Sequence, residues 1–253
     1  MIDVVLGRVN GFAMYLYPPD KDCVCPWMHA GEYEPFETSI MSQFIRPGDT
    51  VIDIGAHIGY YTLLFSSLVG PTGKVIAFEP SPYNFELLVK NLSINNKKNV
   101  DCFPYAVSDK EGFTEFILNP VNSGDCRGWK DPKWQEGSFI KVLVRMIALD
   151  QFLDPASRIP FFKIDTQGEE IRVLRGMQKI IGNQNKTAIA IEYWPYGIIG
   201  SGGGLTEFTK VFEKYDCYNI DEKKQSLVPT LNISSLIGPP ETQEYANLLY
   251  LKK

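Results

Sequence analysis

The 253-residue sequence has no apolar run that approaches the roughly 18 residues needed to cross a membrane as a helix. The stretch from Met1 to Gly11 also lacks the basic start and the apolar run of a secretory signal peptide. We therefore expect a cytoplasmic protein without a membrane span.

An excess of basic residues is absent as well. The chain has 25 Lys and Arg against 30 Asp and Glu, for a net charge of -5. Because nucleic acids and anionic lipids attract proteins through clustered Lys and Arg, this balance argues against nucleic acid as a partner. We expect a small-molecule partner instead, and the sequence does not indicate an oligomeric state.

Paired cysteines are also missing. The five cysteines are odd in number, and only Cys23 and Cys25 lie close together in the sequence. Neither a disulfide framework nor a four-ligand zinc site has this distribution. Because no group of carboxylates has the spacing of a catalytic metal site either, we expect reduced thiols and no bound metal.

What the sequence does contain is an alternation of apolar, β-branched runs with helical patterns, which is typical of βαβ units on a parallel sheet. The predicted strands cover residues 50–54, 74–79, 99–105, 112–118, 137–147, 159–164, 187–193, 215–220 and 245–251. The predicted helices cover residues 34–45, 60–69, 82–95, 169–179 and 205–214. We expect a single domain over residues 1–253, with an N-terminal extension at 1–30 and lid-like insertions near 119–136 and 195–204.

A nucleotide-binding arrangement is the strongest motif in the chain. The segment Val51-Ile-Asp-Ile-Gly-Ala-His-Ile-Gly59 predicts a strand that turns through two glycines into a helix, and Glu79 ends the next strand. Glycine lets a ligand approach the backbone, and an acid at the second strand end can bind both ribose hydroxyls. Asp53 would repel a pyrophosphate but suits the ammonium and sulfonium of S-adenosylmethionine, so this donor is favoured over a nicotinamide dinucleotide.

Further motifs extend this pattern along the chain. They are Gly31-Glu-Tyr-Glu-Pro35, Arg46-Pro-Gly-Asp49, Asp53-Ile-Gly-Ala-His-Ile-Gly-Tyr-Tyr-Thr62, Ala77-Phe-Glu-Pro-Ser81, Ala106-Val-Ser-Asp109, Lys163-Ile-Asp165 with Gly168, and Leu174-Arg-Gly176. In this order the sequence resembles the FkbM-type methyltransferases over about residues 28–194. Two positions depart from the family pattern: His57 stands where Asn is usual, and Thr166-Gln167 stands where Val-Glu is common.

The resemblance implies a fold and a reaction. The fold is α/β, a Rossmann-like class I methyltransferase sheet of mostly parallel strands, seven in number, with an antiparallel last strand and helices on both faces. The implied cofactor is S-adenosylmethionine, and the implied acceptor is a hydroxyl of a sugar, a polyketide or another natural-product intermediate.

Residues near the carboxyl ends of the strands are the cofactor candidates, because open α/β sheets bind ligands there. The candidates are Glu34, Asp53, Gly55, Ala56, His57, Gly59, Glu79, Pro80, Ser81, Ser108, Asp109 and Asp165. We expect Asp53 and the glycine turn to hold the methionine end of the donor and Glu79 to hold the ribose. Ser81 and the Ser108-Asp109 loop belong to the adenine side, and Glu34 is a candidate by the resemblance.

Transfer to a hydroxyl requires alignment of the acceptor with the methyl group and removal of a proton. Asp165 directly follows the predicted strand 159–164 and is the first candidate for base or acceptor-orienting group, with Glu192 and His29 as the others. Lys163 lies two residues earlier on the same strand face, where it would lower the pKa of Asp165 or orient it. The alternatives are a purely structural Lys163–Asp165 ion pair and a solvated or hydrogen-bonded His29.

Two segments rich in aromatic residues are candidates for the rim of the acceptor site. Residues 122–134 contain Arg127, Lys130, Lys133 and two tryptophans, and residues 193–196 read Tyr-Trp-Pro-Tyr before a glycine run. Such residues would stack on or clamp an acceptor. Otherwise they form a surface loop that packs its own tryptophans, with the glycines as a hinge.

The leading hypothesis is therefore an S-adenosylmethionine-dependent O-methyltransferase. An N-methyltransferase on the same fold would accept a neutral amine and would not need a base. A nicotinamide-dependent oxidoreductase would bind NADH and ignore S-adenosylhomocysteine. A non-catalytic cofactor-binding protein would bind the cofactor without turnover on any acceptor.

Overall fold

The computed structural model of the chain describes residues 4–17, 24–31 and 33–253, apart from the side chains of Val24 and His29. The strands in this part of the chain are β1 (Val5–Val9), β2 (Phe12–Leu16), β3 (Thr50–Ile54), β4 (Lys74–Phe78), β5 (Val100–Phe103), β6 (Tyr105–Val107), β7 (Gly112–Leu118), β8 (Ile140–Ile147), β9 (Phe161–Ile164), β10 (Ala188–Tyr193), β11 (Tyr215–Asp221), β12 (Ser226–Pro229) and β13 (Ala246–Lys252). The α-helices are α1 (Val24–Ala30), α2 (Pro35–Ser42), α3 (Tyr60–Val69), α4 (Pro82–Ile94), α5 (Leu149–Phe152), α6 (Glu170–Gly176), α7 (Gln178–Asn183), α8 (Pro195–Gly200) and α9 (Leu205–Val211). None of these helices has the length and apolar character required to cross a membrane.

The central sheet has the strand order β12-β11-β13-β10-β9-β3-β4-β5. Its middle strands pair in parallel, whereas β13 runs antiparallel between β10 and β11. The predicted α/β class, with a mostly parallel sheet and an antiparallel last strand, is therefore confirmed. The sheet has eight strands instead of seven because β12 pairs with β11 at the edge, where its half-exposed residues carry no buried-strand pattern.

The central strands are apolar on both faces because the helices cover both sides of the sheet. Alternate residues of β3 belong to two different hydrophobic clusters, Val51 to one and Ile52 and Ile54 to the other. Strand β9 divides in the same way, with Phe161 in the first cluster and Phe162 in the second. The continuous apolar runs that predicted buried parallel strands thus have a direct structural cause.

Part of the expected N-terminal extension packs into the first of these clusters. Strands β1 and β2 form a hairpin whose apolar residues include the fully buried Met14. The side-chain amides of Asn91 on α4 and of its C-cap Asn95 bond to the hairpin backbone. Tyr15 N–H donates to Asn91 Oδ1 at 2.6 Å, and Ala13 N–H donates to Asn95 Oδ1 at 3.1 Å. These bonds fix the hairpin on the helix that follows β4.

Strands β3 and β9 are neighbours at the point where the strand order reverses. From β3 the chain builds β4 and β5 in one direction and then returns across the sheet to β9 and β10. A crevice opens beyond the carboxyl ends of the strands at such a reversal. The separate three-stranded sheet β6-β8-β7 carries the long segment 119–139 between β7 and β8.

Candidate functional site

A cavity of about 550 Å³ lies at this reversal of strand order. Its volume suits a ligand of nucleotide size. The predicted site residues that line it are Glu34, Gly55, His57, Glu79, Pro80, Ser108, Asp165 and Glu192. The cavity therefore brings together residues from six separate parts of the chain.

The glycines of the turn between β3 and α3 are required by close packing. Gly55 has a φ of +83°, and a Cβ at this position would lie 1.8 Å from the carbonyl oxygen of Asp165. Gly59 has a φ of +96°, and a Cβ there would lie 2.7 Å from Leu88 of α4. Both residues thus let neighbouring elements approach, in addition to leaving room for a ligand.

His57 lies between these glycines in the left-handed conformation, with a φ of +52°. This region is several-fold enriched in Asn, Asp and His among residues other than glycine, which explains how His replaces the usual Asn. Its backbone N–H donates to Glu79 Oε2 at 2.8 Å, and its Nε2 lies 2.6 Å from the Ser123 hydroxyl oxygen. His57 therefore connects the turn to both the second strand end and the segment 119–139.

Glu79 follows β4 and faces the cavity. One carboxylate oxygen accepts from His57 N–H, and the other accepts from Ser81 N–H at 2.9 Å. Burial raises the pKa of Glu79 to about 7, although these backbone bonds oppose the shift. The carboxylate is thereby held at the cavity wall, and its predicted ribose contact stays a prediction.

Asp165, at the end of β9, is the centre of a charged group. Lys163 Nζ lies 3.0 Å from Asp165 Oδ2, so the predicted contact between the two side chains is present. Burial would raise the pKa of Asp165, but the charge of Lys163 and a hydrogen bond from Gln167 hold it below its usual value. Asp165 is consequently ionised and poorly suited to take up a proton.

Glu192, near the end of β10, has the opposite properties. Burial raises its pKa well above the ordinary value, and the neighbouring charges of Asp165 and Glu170 add to the shift. Gln167 Nε2 lies 3.4 Å from Glu192 Oε2 and 2.9 Å from Asp165 Oδ1, so one amide contacts both carboxylates. Two carboxylates of different basicity therefore lie side by side at the ends of β9 and β10.

Glu34 directly precedes α2, and it lines the same cavity. Its backbone is left-handed, with a φ of +45°, so the helix begins at Pro35 and ends at Ser42, within the predicted range 34–45. The Tyr61 hydroxyl donates to Glu34 Oε2 at 2.7 Å. Burial raises the pKa of Glu34 to about 7, because the opposing charge of Lys163 offsets only part of the desolvation.

The other candidates do not line the cavity, namely Asp53, Ala56, Gly59, Ser81, Asp109 and Lys163. Asp53 is fully buried, and its Oδ2 accepts from the Thr62 hydroxyl at 2.6 Å, whereas its Oδ1 is buried without a hydrogen-bond partner among the described residues. Its predicted contact with the methionine end of the donor stays a prediction. Ser81 is the N-cap of α4. Asp109 lies outside the cavity lining, and its Oδ2 is 3.9 Å from Nη1 of Arg175. The side chain of His29 lies outside the described part of the chain.

The two aromatic segments come together over the ends of β9 and β10. Trp129 donates from Nε1 to the carbonyl oxygen of Gln167 at 2.9 Å, and its ring centroid lies 6.0 Å from that of Trp194. The predicted lid near 195–204 contains helix α8, where a Cβ on Gly200 would lie 2.4 Å from the Trp129 ring. Here the glycine of α8 leaves room for an indole, and the predicted hinge in the glycine run after Ser201 stays a prediction.

Several cavity residues are not among the predicted site residues. They are Tyr33, Asn84, Asp131, Glu169 and Tyr245. Asn84 could have been found from its position in the first turn of α4, from which its Nδ2 donates to the carbonyl oxygen of Ser123 at 3.0 Å. Tyr245 begins the predicted strand 245–251, but β13 starts at Ala246, and only the folded chain brings this tyrosine to the cavity.

The cavity is rich in acidic groups. Seven carboxylates line it, whereas the basic side chains among the described residues are Arg127, Lys133 and Arg172, besides His57. Such a charge distribution fits a ligand with positively charged groups, as S-adenosylmethionine has in its ammonium and sulfonium. Within the described ranges, no group of three or more His, Cys, Asp or Glu is placed to hold a metal ion.

Comparison with known proteins gives a consistent result. A family model described as "Methyltransferase FkbM domain" matches residues 53–215. The methyltransferase sdnD of Sordaria araneosa is 26% identical over 176 residues, which cover 58% of this chain and 68% of that protein. The 31-O-demethyl-FK506 methyltransferase FkbM of Streptomyces tacrolimicus is 38% identical over 76 residues, 30% of this chain and 28% of that protein.

A solved structure shares the fold. The structure of TYW2 of M. jannaschii in complex with AdoMet aligns with a TM-score of 0.50 and 12% identity, covering 98% of this chain and 84% of that one. The matches to the two curated relatives extend over only part of each relative.

Proposed function

Since the chain belongs to the family of FkbM methyltransferases, we propose that it methylates a hydroxyl group of a small-molecule acceptor. S-adenosylmethionine is the cofactor and supplies the methyl group. The nicotinamide-dependent alternative is set aside by the family assignment. Oxygen as the acceptor atom is argued from the carboxylates that line the cavity. A small molecule as the substrate is argued from the charge around the cavity.

The observation that carries the proposal is the pair of unlike carboxylates at the ends of β9 and β10. A hydroxyl must lose its proton to become a methyl acceptor, and a carboxylate can take that proton only if its pKa lies near the working pH. Burial and the neighbouring charges raise the pKa of Glu192 above its ordinary value, which makes it the more basic of the two carboxylates. Asp165 is the weaker base, because Lys163 and Gln167 stabilise its charged form.

We therefore assign different roles to the two groups. Glu192 accepts the proton, and Asp165 stays ionised and orients the acceptor hydroxyl, which modifies the first choice made from sequence. Lys163 is a positioning residue: burial alone would lower its pKa, but the charges of Asp165, Asp53 and Glu34 raise it, so its ammonium stays protonated beside Asp165. A neutral amine acceptor would need no such proton acceptor, which favours oxygen over nitrogen.

Residues at the ends of β3 and β4 would hold the cofactor. Glu79 is fixed by two backbone N–H groups and is available to the ribose, while the turn around Gly55 supplies backbone at the cavity wall. Ser108 lines the adjacent wall, and its backbone N–H donates to the carbonyl oxygen of Ile147. This division leaves the region of Glu192 and the tryptophans for the acceptor.

A small acceptor, as opposed to a nucleic acid, is supported by charge. Seven carboxylates around the cavity and a net charge of -5 would repel a phosphate backbone. The relative FkbM is named for a reaction on 31-O-demethyl-FK506, which is a small-molecule acceptor with an oxygen methylation site.

The first experiment is a calorimetric titration of the purified protein with S-adenosylhomocysteine, with NADH as a control ligand. We expect binding of S-adenosylhomocysteine alone, and a loss of about 100-fold in affinity for Glu79→Ala, because two backbone bonds and the ribose contact are removed together. Glu86→Gln is the matched control, since this glutamate lies on the exposed face of α4 in an ion pair with Lys90. Binding of NADH, or no binding of either ligand, would contradict the proposal.

The second experiment measures methyl transfer from labelled S-adenosylmethionine to a panel of alcohols and amines, with mass spectrometry of the products. We expect ether products and a rate that falls as the pH drops through the pKa of Glu192. Products methylated on nitrogen, formed at rates unaffected by Glu192→Gln, would assign the chain to N-methylation instead. Cofactor binding without product from any acceptor would favour the non-catalytic alternative.

A further inference from the structure

Arg127 is enclosed at the acceptor side of the cavity. Its guanidinium carbon lies 4.5 Å from the ring centroids of Trp129 and Trp134 and 5.0 Å from that of Trp194. Although it is only 3% exposed to solvent, it belongs to the cavity wall. We call Arg127, the three tryptophans, Asp125 and Asp131 the Arg127 cluster.

The guanidinium of this cluster is only partly hydrogen-bonded. Nη2 of Arg127 lies 2.5 Å from Asp125 Oδ1, and Nη1 lies 3.6 Å from Asp131 Oδ2. Both Nε and Nη1 are buried and have no hydrogen-bond partner among the residues that the structure describes. Buried donors are normally satisfied, so two of them at a cavity wall indicate that a bound molecule supplies the acceptor atoms.

The charges around Arg127 decide what kind of atom binds there. Asp125 and Asp131 already contribute two negative charges to one guanidinium. Arg172 forms an ion pair with Glu169, with Nε 3.2 Å from Oε2. Lys133 is an exposed residue whose Nζ lies over the ring of Tyr196. A carboxylate or a phosphate on the ligand would be a third anion beside Arg127, whereas a neutral oxygen accepts the same hydrogen bonds without repulsion.

The remaining walls of the cluster are indole rings. Trp134 and Trp194 line the cavity, and Asp131, whose Oδ1 accepts from the Tyr196 hydroxyl at 2.7 Å, adds an acceptor. Flat apolar faces beside hydrogen-bond donors and acceptors match a saturated ring whose C–H groups pack on the indoles and whose hydroxyls bond at the edge. The cluster packs against the ends of β9 and β10, because Trp129 donates to the Gln167 carbonyl oxygen and Trp194 directly follows β10.

We propose that Nε and Nη1 of Arg127, which lie on different edges of the guanidinium, bind two separate oxygens of the methyl acceptor, and that this acceptor is an uncharged polyhydroxylated ring of the pyranoside type. The assignment rests on the proposed function, because it concerns the molecule that is methylated. It excludes uronates and sugar phosphates as preferred acceptors.

The test uses the whole protein saturated with S-adenosylhomocysteine. Tryptophan fluorescence and saturation-transfer NMR report binding of methyl glucopyranoside, methyl mannopyranoside and methyl galactopyranoside, in comparison with glucuronate, galacturonate and glucose 1-phosphate. We expect at least one neutral glycoside to bind about tenfold or more tightly than any of the charged sugars, since the charged sugars face Asp125 and Asp131. Tighter binding of a charged sugar, or no binding of any neutral glycoside, would overturn the assignment.

Arg127→Lys then tests the residue, because lysine keeps the charge beside the two aspartates and removes Nε. We expect glycoside affinity to fall about tenfold while the affinity for S-adenosylhomocysteine changes less than twofold. Arg175→Lys, at a half-exposed ion pair with Glu207, is the matched control. An equal loss of both affinities would assign Arg127 to the cofactor and contradict the inference.

The two proposals fail in different ways. If the wild-type protein does not bind S-adenosylhomocysteine, the proposed function is wrong. If it binds S-adenosylhomocysteine but prefers the charged sugars or rejects every neutral glycoside, only the assignment of Arg127 is wrong. The wild-type comparison keeps this distinction even if Arg127→Lys does not fold.

Discussion

The two halves of the cavity are built in different ways. The cofactor half consists of a short strand–turn–helix segment and the end of the next strand. The two are joined by a hydrogen bond from the backbone N–H of His57 to the carboxylate of Glu79. The acceptor half is assembled from segments far apart in the chain, with Arg127 from the segment between β7 and β8 placed against Trp194 after β10. The first half depends on backbone conformation, and the second depends on packed side chains.

This difference predicts different responses to substitution. A change in the turn of the cofactor half disturbs backbone packing and with it the stability of the sheet. A change in the acceptor half removes a side-chain contact and leaves the strands in place.

The largest effect is expected for Gly55→Ala. The new Cβ would overlap the carbonyl oxygen of Asp165 at 1.8 Å, and alanine also disfavours a φ of +83°. We expect a loss of ~3 kcal/mol or more in the free energy of unfolding, together with loss of S-adenosylhomocysteine binding. Urea unfolding and calorimetry measure the two effects.

Gly70→Ala separates the two causes, because Gly70 has a φ of +66° but nothing within 4 Å of its Cβ position. It should cost only about 1–2 kcal/mol from backbone conformation. Equal losses for the two variants would show that the contact with Asp165 has no importance and would remove the structural basis of the comparison.

Glu192→Gln should affect activity without affecting the cofactor half. Loss of the proton acceptor is expected to lower kcat about 100-fold, while the affinity for S-adenosylhomocysteine changes less than about threefold. Steady-state kinetics and calorimetry provide the two numbers. Glu169→Gln is a matched control from the same cavity, where this carboxylate pairs with Arg172; similar losses of kcat in both variants would argue against a special role for Glu192.

The pH dependence of stability provides a third test, through Glu170 at the start of α6. Burial raises its pKa from 4.5 to about 7, so the folded state binds a proton that the unfolded state has released. This contribution is fully present below pH 4.5 and is lost as the pH rises through 7, with a total of up to ~3 kcal/mol. Glutamine imitates the protonated acid and should remove the share of the decline that comes from Glu170, whereas Glu34 and Glu79, whose pKa values burial also raises to about 7, keep theirs.

The measurement compares urea unfolding of the wild type and Glu170→Gln at several values between pH 4.5 and pH 7. Glu86→Gln on the exposed face of α4 should leave the wild-type slope unchanged. If the wild type and Glu170→Gln have parallel stability profiles, Glu170 is ionised in the folded protein and the assignment of its pKa is wrong.

The smallest effect is expected where the two halves are connected. Ser123→Ala removes the hydroxyl that lies 2.6 Å from His57 Nε2 but leaves the bond from Asn84 to the Ser123 carbonyl oxygen. We expect about 1 kcal/mol of destabilisation and a weakening of S-adenosylhomocysteine binding by less than about fivefold. Ser138→Ala, whose hydroxyl bonds only within an exposed turn, is the comparison. A larger loss than that caused by Glu79→Ala would mean that the cofactor half depends on the segment 119–139.

Much of the fold was predictable because its signals are local. The apolar runs of β3, β9 and β10 and the capping sequence Ser81-Pro82 gave elements close to those observed. The hairpin β1–β2 was missed although its turn contains Asn10-Gly11, both in the left-handed conformation that such a turn requires. The edge strand β12 was missed because half-exposed residues at the edge of a sheet show no core pattern.

The site was predictable only in part, for a related reason. Glu79, His57 and Asp165 follow strand ends, and a strand end can be recognised from sequence. Asp53 also lies near a strand end, but its side chain is fully buried and accepts from Thr62, so its predicted contact with the cofactor stays a prediction. The position of a residue along a strand therefore does not establish that its side chain reaches the ligand.

The sequence by itself determined the strand–turn–helix motif, the family and the cofactor, because these depend on residues that are close together in the chain. Only the tertiary structure decided which side chains meet at the acceptor half, since Arg127, Glu192 and Tyr245 are separated by more than fifty residues from one another. It also decided their ionisation, because the pKa values of Asp165 and Glu192 depend on burial and on charges from other elements. Contacts between distant segments and the desolvation that accompanies them exist only in the folded chain.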